Sequence, residues 1–490
     1  MKKMRSNIRS LYAGTARWRF ACTVGMLLFM AIPGRAQVFR AGASVVDVSP
    51  KLGQGIVGNF IVPPATHIHD PLSARSLVLD DGETKLVFVV VDNVGVDQPV
   101  FDEAGKMIRQ ETGINPAQVL MSATHTHSGV SASGDGERFR KDRKGILLDD
   151  YQKFLARRIA DGVRIAVNNL EPARIGWGSG SVPQHVFNRR WKLKNEVRNP
   201  FGQMDAAMFN PGVNNANKTE PAGTTDPEVA FLSVQSVNGR PIGLLANYSL
   251  HYVGGVPTGH VSADYFALFA GKLARHLGQQ QQFPPFVGFL TNGTSGDVNN
   301  IDFSKQGKAY GPYEKMNIVA EDVAREVLRV YQNIEYRPHV KLRSVRSEIP
   351  IKVRKPSREL YERSKSVRDS PSDKKFEHSL ERVFADRAIH IYEDWPAEIA
   401  VPLQVFKIGE WGVRAVPFEV FTETGLDLKK TSPFKNSFTI SLANGCYGYL
   451  APPAQHRLGG YETWLTVTKV EETASEKIVA ELTKLSDSLR

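Results

Sequence analysis

Residues 85–96 read KLVFVVVDNVGV, and residues 118–127 read QVLMSATHTH. The first is a continuous apolar run, the pattern of a strand buried on both faces. The second is an apolar strand that runs out into polar residues. Between them, Val100 to Glu111 reads as a helix, and strand, helix, strand makes an α/β unit. Working outward, residues 41–52 (AGASVVDVSPKL) predict a first strand and turn. Leu155, Ile159, Val163 and Ala166 recur at helical spacing, as do Val319, Val323, Val327 and Val330. Ile242 to Leu250, Phe286 to Leu290, Val401 to Ile408, Val413 to Pro417 and Phe438 to Leu442 predict further strands. A polar helix, Lys469 to Leu485, closes the chain. No internal repeat is visible. The expectation is an α/β fold, with mixed sheets flanked by helices in one large domain over 37–490 and a site at loop ends on one side.

The 490 residues are 41% hydrophobic and 23% charged, which excludes disordered and fibrous classes. Residues 1–36 differ from the rest. A basic leader (Lys2, Lys3, Arg5, Arg9, Arg17, Arg19) precedes an apolar run from Phe20 to Ile32. Pro33 and Gly34 break that run, and Gly34-Arg35-Ala36 supplies small residues for cleavage. This predicts a secretory signal and an exported, periplasmic or extracellular protein. The competing reading is an uncleaved anchor, for which the run is short. Without the leader, 55 basic residues face 51 acidic ones, so the net charge of +11 does not argue for a nucleic-acid partner. Cys22 lies in the leader, leaving Cys446 alone and no internal disulfide. No later stretch reads as a membrane span. Residues 353–380, dense in Lys, Arg, Asp, Glu and Ser, predict a solvated helical excursion or a lid.

The sharpest chemical signal is Ser122-Ala123-Thr124-His125-Thr126-His127-Ser128-Gly129. Two histidines two apart on a strand share a face, and the end of an α/β strand is where ligands bind. Neutral imidazole is the commonest metal ligand; the pair alone fits hydrogen-bonded structural histidines equally well. His251 follows another apolar strand, in Ala246-Asn247-Tyr248-Ser249-Leu250-His251. Glu419 ends Val413 to Val416, where a carboxylate is often a capping residue. Tyr449 closes Asn444-Gly445-Cys446-Tyr447-Gly448-Tyr449, and Tyr461 follows in Gly459-Gly460-Tyr461-Glu462. Two histidines and a glutamate make a catalytic zinc set with an open position. Such a zinc ion gives hydroxide at neutral pH and polarises a carbonyl, which suits hydrolysis of an unreactive amide.

SATHTHSG is very similar to the corresponding motif of the neutral/alkaline non-lysosomal ceramidases. The family's further motifs follow in order: a histidine after an Asn-containing strand, a Gly-Asp or Gly-Asn loop, a Pro-x-Glu-x-x-Thr segment, and two tyrosines twelve apart. The chain is identified on these as a divergent member, over about residues 40–485. The resemblance implies a zinc-dependent amidohydrolase of ceramide or another N-acylated lipid, with Zn²⁺ held by His125, His251, Glu419 and Tyr449. It implies proton transfer by His127, and an oxyanion held by Tyr461 with an arginine of Phe187-Asn188-Arg189-Arg190, Arg189 in preference to Arg190. It places Asn292, Asp297 and Asn299 in the substrate loop. Asn299 stands where the family carries serine, and the loop's proline is absent, so no serine nucleophile is expected; Ser295 lies four residues earlier. The family's C-terminal β-sandwich module is not expected here. The alternative is a metal-dependent hydrolase or lyase acting on a polysaccharide or glycoconjugate. His67, His69 and Asp70 are candidates for a second metal or for a structural loop.

Overall fold

The computed structural model describes residues 38–58, 61–132 and 148–490; the predicted leader, with Cys22, lies outside them. One order of elements recurs three times. The first unit has strands β1 (Arg40–Asp47), β2 (Ser73–Asp80) and β3 (Lys85–Val91), helix α1 (Gln98–Thr112), β4 (Val119–Ala123) and α2 (Asp150–Asn168). The second has β5 (Glu171–Ser181), β6 (Glu228–Ser236), β7 (Pro241–Tyr248), α3 (Asp264–His276), β8 (Val287–Asn292) and α4 (Glu314–Tyr331). The third begins with β9 (Leu342–Lys352), takes in α5 (Arg358–Arg368) and α6 (Glu381–Glu393), and continues with β10 (Glu398–Ile408) and β11 (Trp411–Ala415). It ends with α7 (Thr422–Lys430), β12 (Asn436–Ile440), the short α8 (Pro453–Leu458) and α9 (Ala474–Asp487).

In every unit the first three strands run antiparallel and the fourth pairs parallel with the third, across a helical crossover. That connectivity puts the C-terminal ends of the first, third and fourth strands at one edge of each unit. The first two units form one eight-stranded sheet, ordered β8-β7-β6-β5-β1-β2-β3-β4. They are joined where Arg40 and Ala41 pair with Pro172 and Glu171 and where Ala173 N donates to the Phe39 carbonyl. The sheet folds on itself at this junction. A Cβ built on Gly243 of β7 would lie 3.6 Å from the Ala43 Cβ in β1, whereas three strand spacings in a flat sheet are about 14 Å.

One core therefore lies inside the three units. It joins Phe88, Leu120, Ile175, Leu232, Phe289, Phe406 and Phe438, among others. Helices cover the outer faces: α1 and α2 the first unit, α3 and α4 the second, α9 the third. Local chemistry sets the element ends. Asp97 caps α1, Pro99 enters its first turn, and Gly113 ends it at φ 74°.

The apolar run from Lys85 makes a strand only to Val91, because Asp92 turns to buried Arg75 at 2.7 Å. The closing helix begins at Ala474 rather than Lys469, because Val470 bridges Val353 and Glu471 N donates to the Lys352 carbonyl. The charged segment 353–380 carries α5, which turns Ser364 and Val367 inward; Leu360 and Leu380 pack on a cluster that includes Phe384, Tyr449 and Trp464. No helix among the described residues is long and apolar enough to cross a membrane.

Candidate metal centre

The three units meet at their fourth strands. Ala123 N donates to the Leu442 carbonyl, Ser441 N to Asn292, and Asn444 N to Met121. Loops leaving this junction carry the candidate ligands.

After β4 the chain does not continue as strand. His125 sits at φ 68°, a left-handed conformation that a non-glycine residue adopts only when its surroundings impose it. Its amide donates to the Asn93 carbonyl, and its Nδ1 lies 2.5 Å from the Val94 carbonyl. A ring nitrogen bonded to a carbonyl carries the proton, which leaves Nε2 as a free donor atom. His251, three residues past β7, is built the same way: Nδ1 lies 3.1 Å from the Ser295 carbonyl. His127 brings its Nε2 within 3.0 Å of His125 Nε2 and stacks its ring on Tyr252 at 3.8 Å. The two histidines do not share a strand face, as strand alternation predicts; the turn at His125 brings them together.

Glu419 and Tyr449 come from the third unit, as register partners in a two-residue parallel ladder, Glu419–Val420 with Tyr449–Leu450. Glu419 Oε2 lies 3.2 Å from His125 Nε2 and 3.6 Å from His251 Nε2. His251 Nε2 and Glu419 Oε2 are buried without a hydrogen-bond partner, the His125–Glu419 approach lacking hydrogen-bond geometry. Buried polar atoms normally find partners, so this arrangement fits a cation in their midst. Among the described residues, His125, His127 and His251 are the group of metal-ligating side chains close enough to share one ion.

Arg189 closes the far side of Tyr449. Its Nη2 donates to the Tyr449 hydroxyl and the Gly296 carbonyl, each at 2.9 Å, and its Nε donates to Glu462 at 2.9 Å. Arg190 points elsewhere, to Gln455, Gly459 and Glu462. The Tyr461 ring lies 6.2 Å from that of Tyr449 and stacks on Phe209 at 4.6 Å.

Burial pushes the His127 and His251 imidazoles well below the usual histidine range, and neighbouring charge, Arg189 included, adds to it. Burial also works to raise the Glu419 carboxyl, but His125, Tyr449 and Arg189 outweigh it and hold the group below its ordinary value. Burial opposes the charge on Arg189, yet Tyr449, Glu462 and Glu419 raise its pKa overall. Burial, with Glu419 beside it, lifts the Tyr461 phenol to about 12.

The 292–300 loop lies against this centre with its side chains committed inward. Asp297 is fully buried; it accepts from Thr422 N and Oγ1 and from Asn188 Nδ2. Asn292 accepts from the Ser295 hydroxyl. Asn299 donates to Asn210 and accepts from Ile301 N. These contacts hold the loop whose Ser295 carbonyl orients His251 and whose Gly296 backs onto Glu419. Asp70 accepts from Ser262 Oγ and Ala263 N, ahead of α3; His69 stacks on Tyr313, and the His67 ring lies tilted against His260 at 4.6 Å. Glu462, Tyr252 and the Val94 and Ser295 carbonyls were not singled out by sequence. Glu462 and Tyr252 adjoin Tyr461 and His251, and that adjacency was the available signal.

Three histidines and a glutamate gathered around one buried point in an α/β protein form a cluster that could bind a metal ion. Residues 59–307 match the family described as neutral/alkaline non-lysosomal ceramidase, N-terminal, and the chain belongs to that family. Neutral ceramidases A and B of Dictyostelium discoideum are each 22% identical to it, over 275 and 276 residues; the match covers 53% of this chain. It spans 36% and 35% of those relatives, about a third of their length. The fold is similar to that of neutral ceramidase from Pseudomonas aeruginosa, with a TM-score of 0.68 at 16% identity, over 92% of this chain and 74% of the other. A structure described as ceramidase complexed with C2 gives a TM-score of 0.69 at 15% identity, over 93% and 75%.

Proposed function

We propose that this protein is an exported zinc-dependent amidohydrolase that cleaves the amide bond of an N-acylated lipid, as ceramidases do. The observation that carries the reading is the convergence of His125, His127, His251 and Glu419, with His251 Nε2 and Glu419 Oε2 buried and unpartnered. Imidazole and carboxylate donors suit zinc, and His125, His251, Glu419 and Tyr449 are the proposed ligands. When bound, the ion would acidify water towards a pKa of about 7 and polarise a carbonyl oxygen.

The chain's own groups supply the rest. His127, neutral at the pH of the reaction, accepts a proton at the imidazole and returns it to the leaving nitrogen. Tyr461, protonated up to about pH 12, donates its hydroxyl to the developing oxyanion. Arg189 holds the Tyr449 oxygen and adds positive charge beside it. Asn299 shapes the wall next to Arg189 through Asn210, whose amide donates to the Arg189 carbonyl. Residues 1–36 are the proposed export signal.

The test is zinc content, with turnover of a fluorogenic N-acylsphingosine, on the protein and on His125→Ala. One zinc per chain, with cleavage lost in the variant, is expected. Zinc without cleavage removes the ceramide assignment and moves the search to other amides and to glycoconjugates. No zinc after reconstitution removes the catalytic proposal.

A further inference from the structure

Behind the proposed ligands lies a second buried charge cluster. Glu462 is fully buried and accepts from two consecutive arginines, Arg189 Nε at 2.9 Å and Arg190 Nη1 at 2.8 Å. Arg190 is itself wholly buried and Arg189 nearly so. A guanidinium does not lose its proton in a protein, so both positive charges persist. Glu462 faces both of them; Glu419, at the ligand cluster, also acts on Arg189, and Asp205 and Asp297 act on Arg190. Asp297 is held by Thr422 and Asn188, Asp205 by Asn199 and Trp464, and Glu423 accepts from Gln455.

We propose that Glu462 is a positioning residue whose charge makes this centre able to hold a divalent cation. The inference rests on the metal-site reading above. Glu462 fixes Arg189 by its Nε, which leaves Nη2 aimed at the Tyr449 hydroxyl and the Gly296 carbonyl. It also cancels one of two buried positive charges. Without it, the carboxylate acting on Arg189 is Glu419, the one proposed to bind the metal, and Arg190 is left with Asp205 and Asp297, which are hydrogen-bonded to other groups. The ion would then enter a site of excess positive charge, inside a low-dielectric interior where repulsion is poorly screened. The fold commits several elements to this arrangement. Glu462 sits in the 3₁₀ turn Tyr461–Thr463, its carbonyl accepts from Thr468 Oγ1, and Arg190 ties the turn back to Gly459. The same turn carries Tyr461, so the counter-charge and the proposed oxyanion donor are placed together.

The test is Zn²⁺ affinity of the folded, metal-free protein, by chelator competition without substrate. The variants are Glu462→Gln, Glu462→Asp and Arg190→Gln, with folding checked by circular dichroism. E462Q is expected to weaken zinc binding roughly ten- to hundredfold, and E462D, which keeps the charge, by much less. R190Q removes a positive charge and is expected to bind zinc as tightly as the wild type or more so. E462Q with wild-type zinc affinity overturns the proposal, because a purely structural role would lower stability and leave the affinity of the folded protein alone. Should E462Q fail to fold, R190Q decides: zinc binding weakened tenfold or more overturns the proposal, and unchanged or tighter binding upholds it. A wild type that binds no zinc is a separate outcome and removes the underlying metal reading.

Discussion

The first and second units share one order of strands and helices and use it in opposite ways. In the first, the candidate residues follow the fourth strand: His125, a proposed ligand, and His127, the proposed proton carrier, come after β4. The loop after the third strand is scaffold, with Asn93 and Val94 offering carbonyls to His125 N and Nδ1. In the second, the proposed ligand follows the third strand, as His251 after β7. The loop after the fourth strand is scaffold, with the Ser295 carbonyl on His251 Nδ1. Each unit pairs one loop that reaches the centre with one that fixes the ring's tautomer and direction. The third unit uses both of its loops, Glu419 from one and Tyr449 from the other, and aligns them by direct pairing. The lesson is that the topology provides adjacent loop ends, and sequence decides which end carries the donor.

The largest effect expected on this picture is at the two histidines among the four proposed ligands. His125→Ala and His251→Ala should each lower zinc affinity by roughly a hundredfold or more, beyond what outer-shell changes reach. Metal analysis after dialysis checks this, and a variant that keeps its zinc would remove that unit from the centre.

The second unit's scaffold loop offers a test by pH. Burial raises the Asp297 carboxyl to about 6, against 3.8 unperturbed. Its folded-state pKa is the higher one, so the folded state holds the proton more tightly. Stability from this group is present below about pH 4 and declines as pH rises towards 6, by up to about 3 kcal/mol. Asp297→Asn should flatten that part of the pH dependence, as read by urea unfolding at pH 4.5 and 7. An unchanged slope would show that Asp297 titrates as in the unfolded chain.

Gly296→Ala should follow. An added Cβ would lie 2.6 Å from the Glu419 carbonyl oxygen, and the displacement should cost about 1–3 kcal/mol by thermal unfolding and weaken zinc binding. Wild-type stability would mean that the second unit's scaffold does not brace the third unit's ligand. Asn299→Ser should cost least, about 1 kcal/mol for its lost hydrogen bonds to Asn210 and Ile301 N. A larger loss would make Asn299 a brace of the loop equal to Asp297.

The long strands were legible because their burial is continuous. The core run through Val87 to Val91 and that through Leu244 to Ala246 read as apolar stretches in sequence and lie buried in the fold. The threefold recurrence was not legible, because the first connection of each unit differs: a short segment with His67–Ile68, the strands around Arg189, and the α5–α6 pair. The ligand residues were visible as residue types at strand ends. Their geometry was not, since a positive φ at His125 and a two-residue ladder at Glu419 have no periodicity to detect. Glu462 was hidden for a different reason: a buried carboxylate is defined by the two arginines that reach it from 272 and 273 residues away.

The central claim is that loops from three units converge on one cation. Zinc K-edge X-ray absorption on the reconstituted protein tests it most directly. The account predicts one zinc per chain, nitrogen and oxygen neighbours only, and the outer-shell scattering of at least two imidazoles. No bound zinc, or a shell containing the Cys446 sulfur, would contradict it.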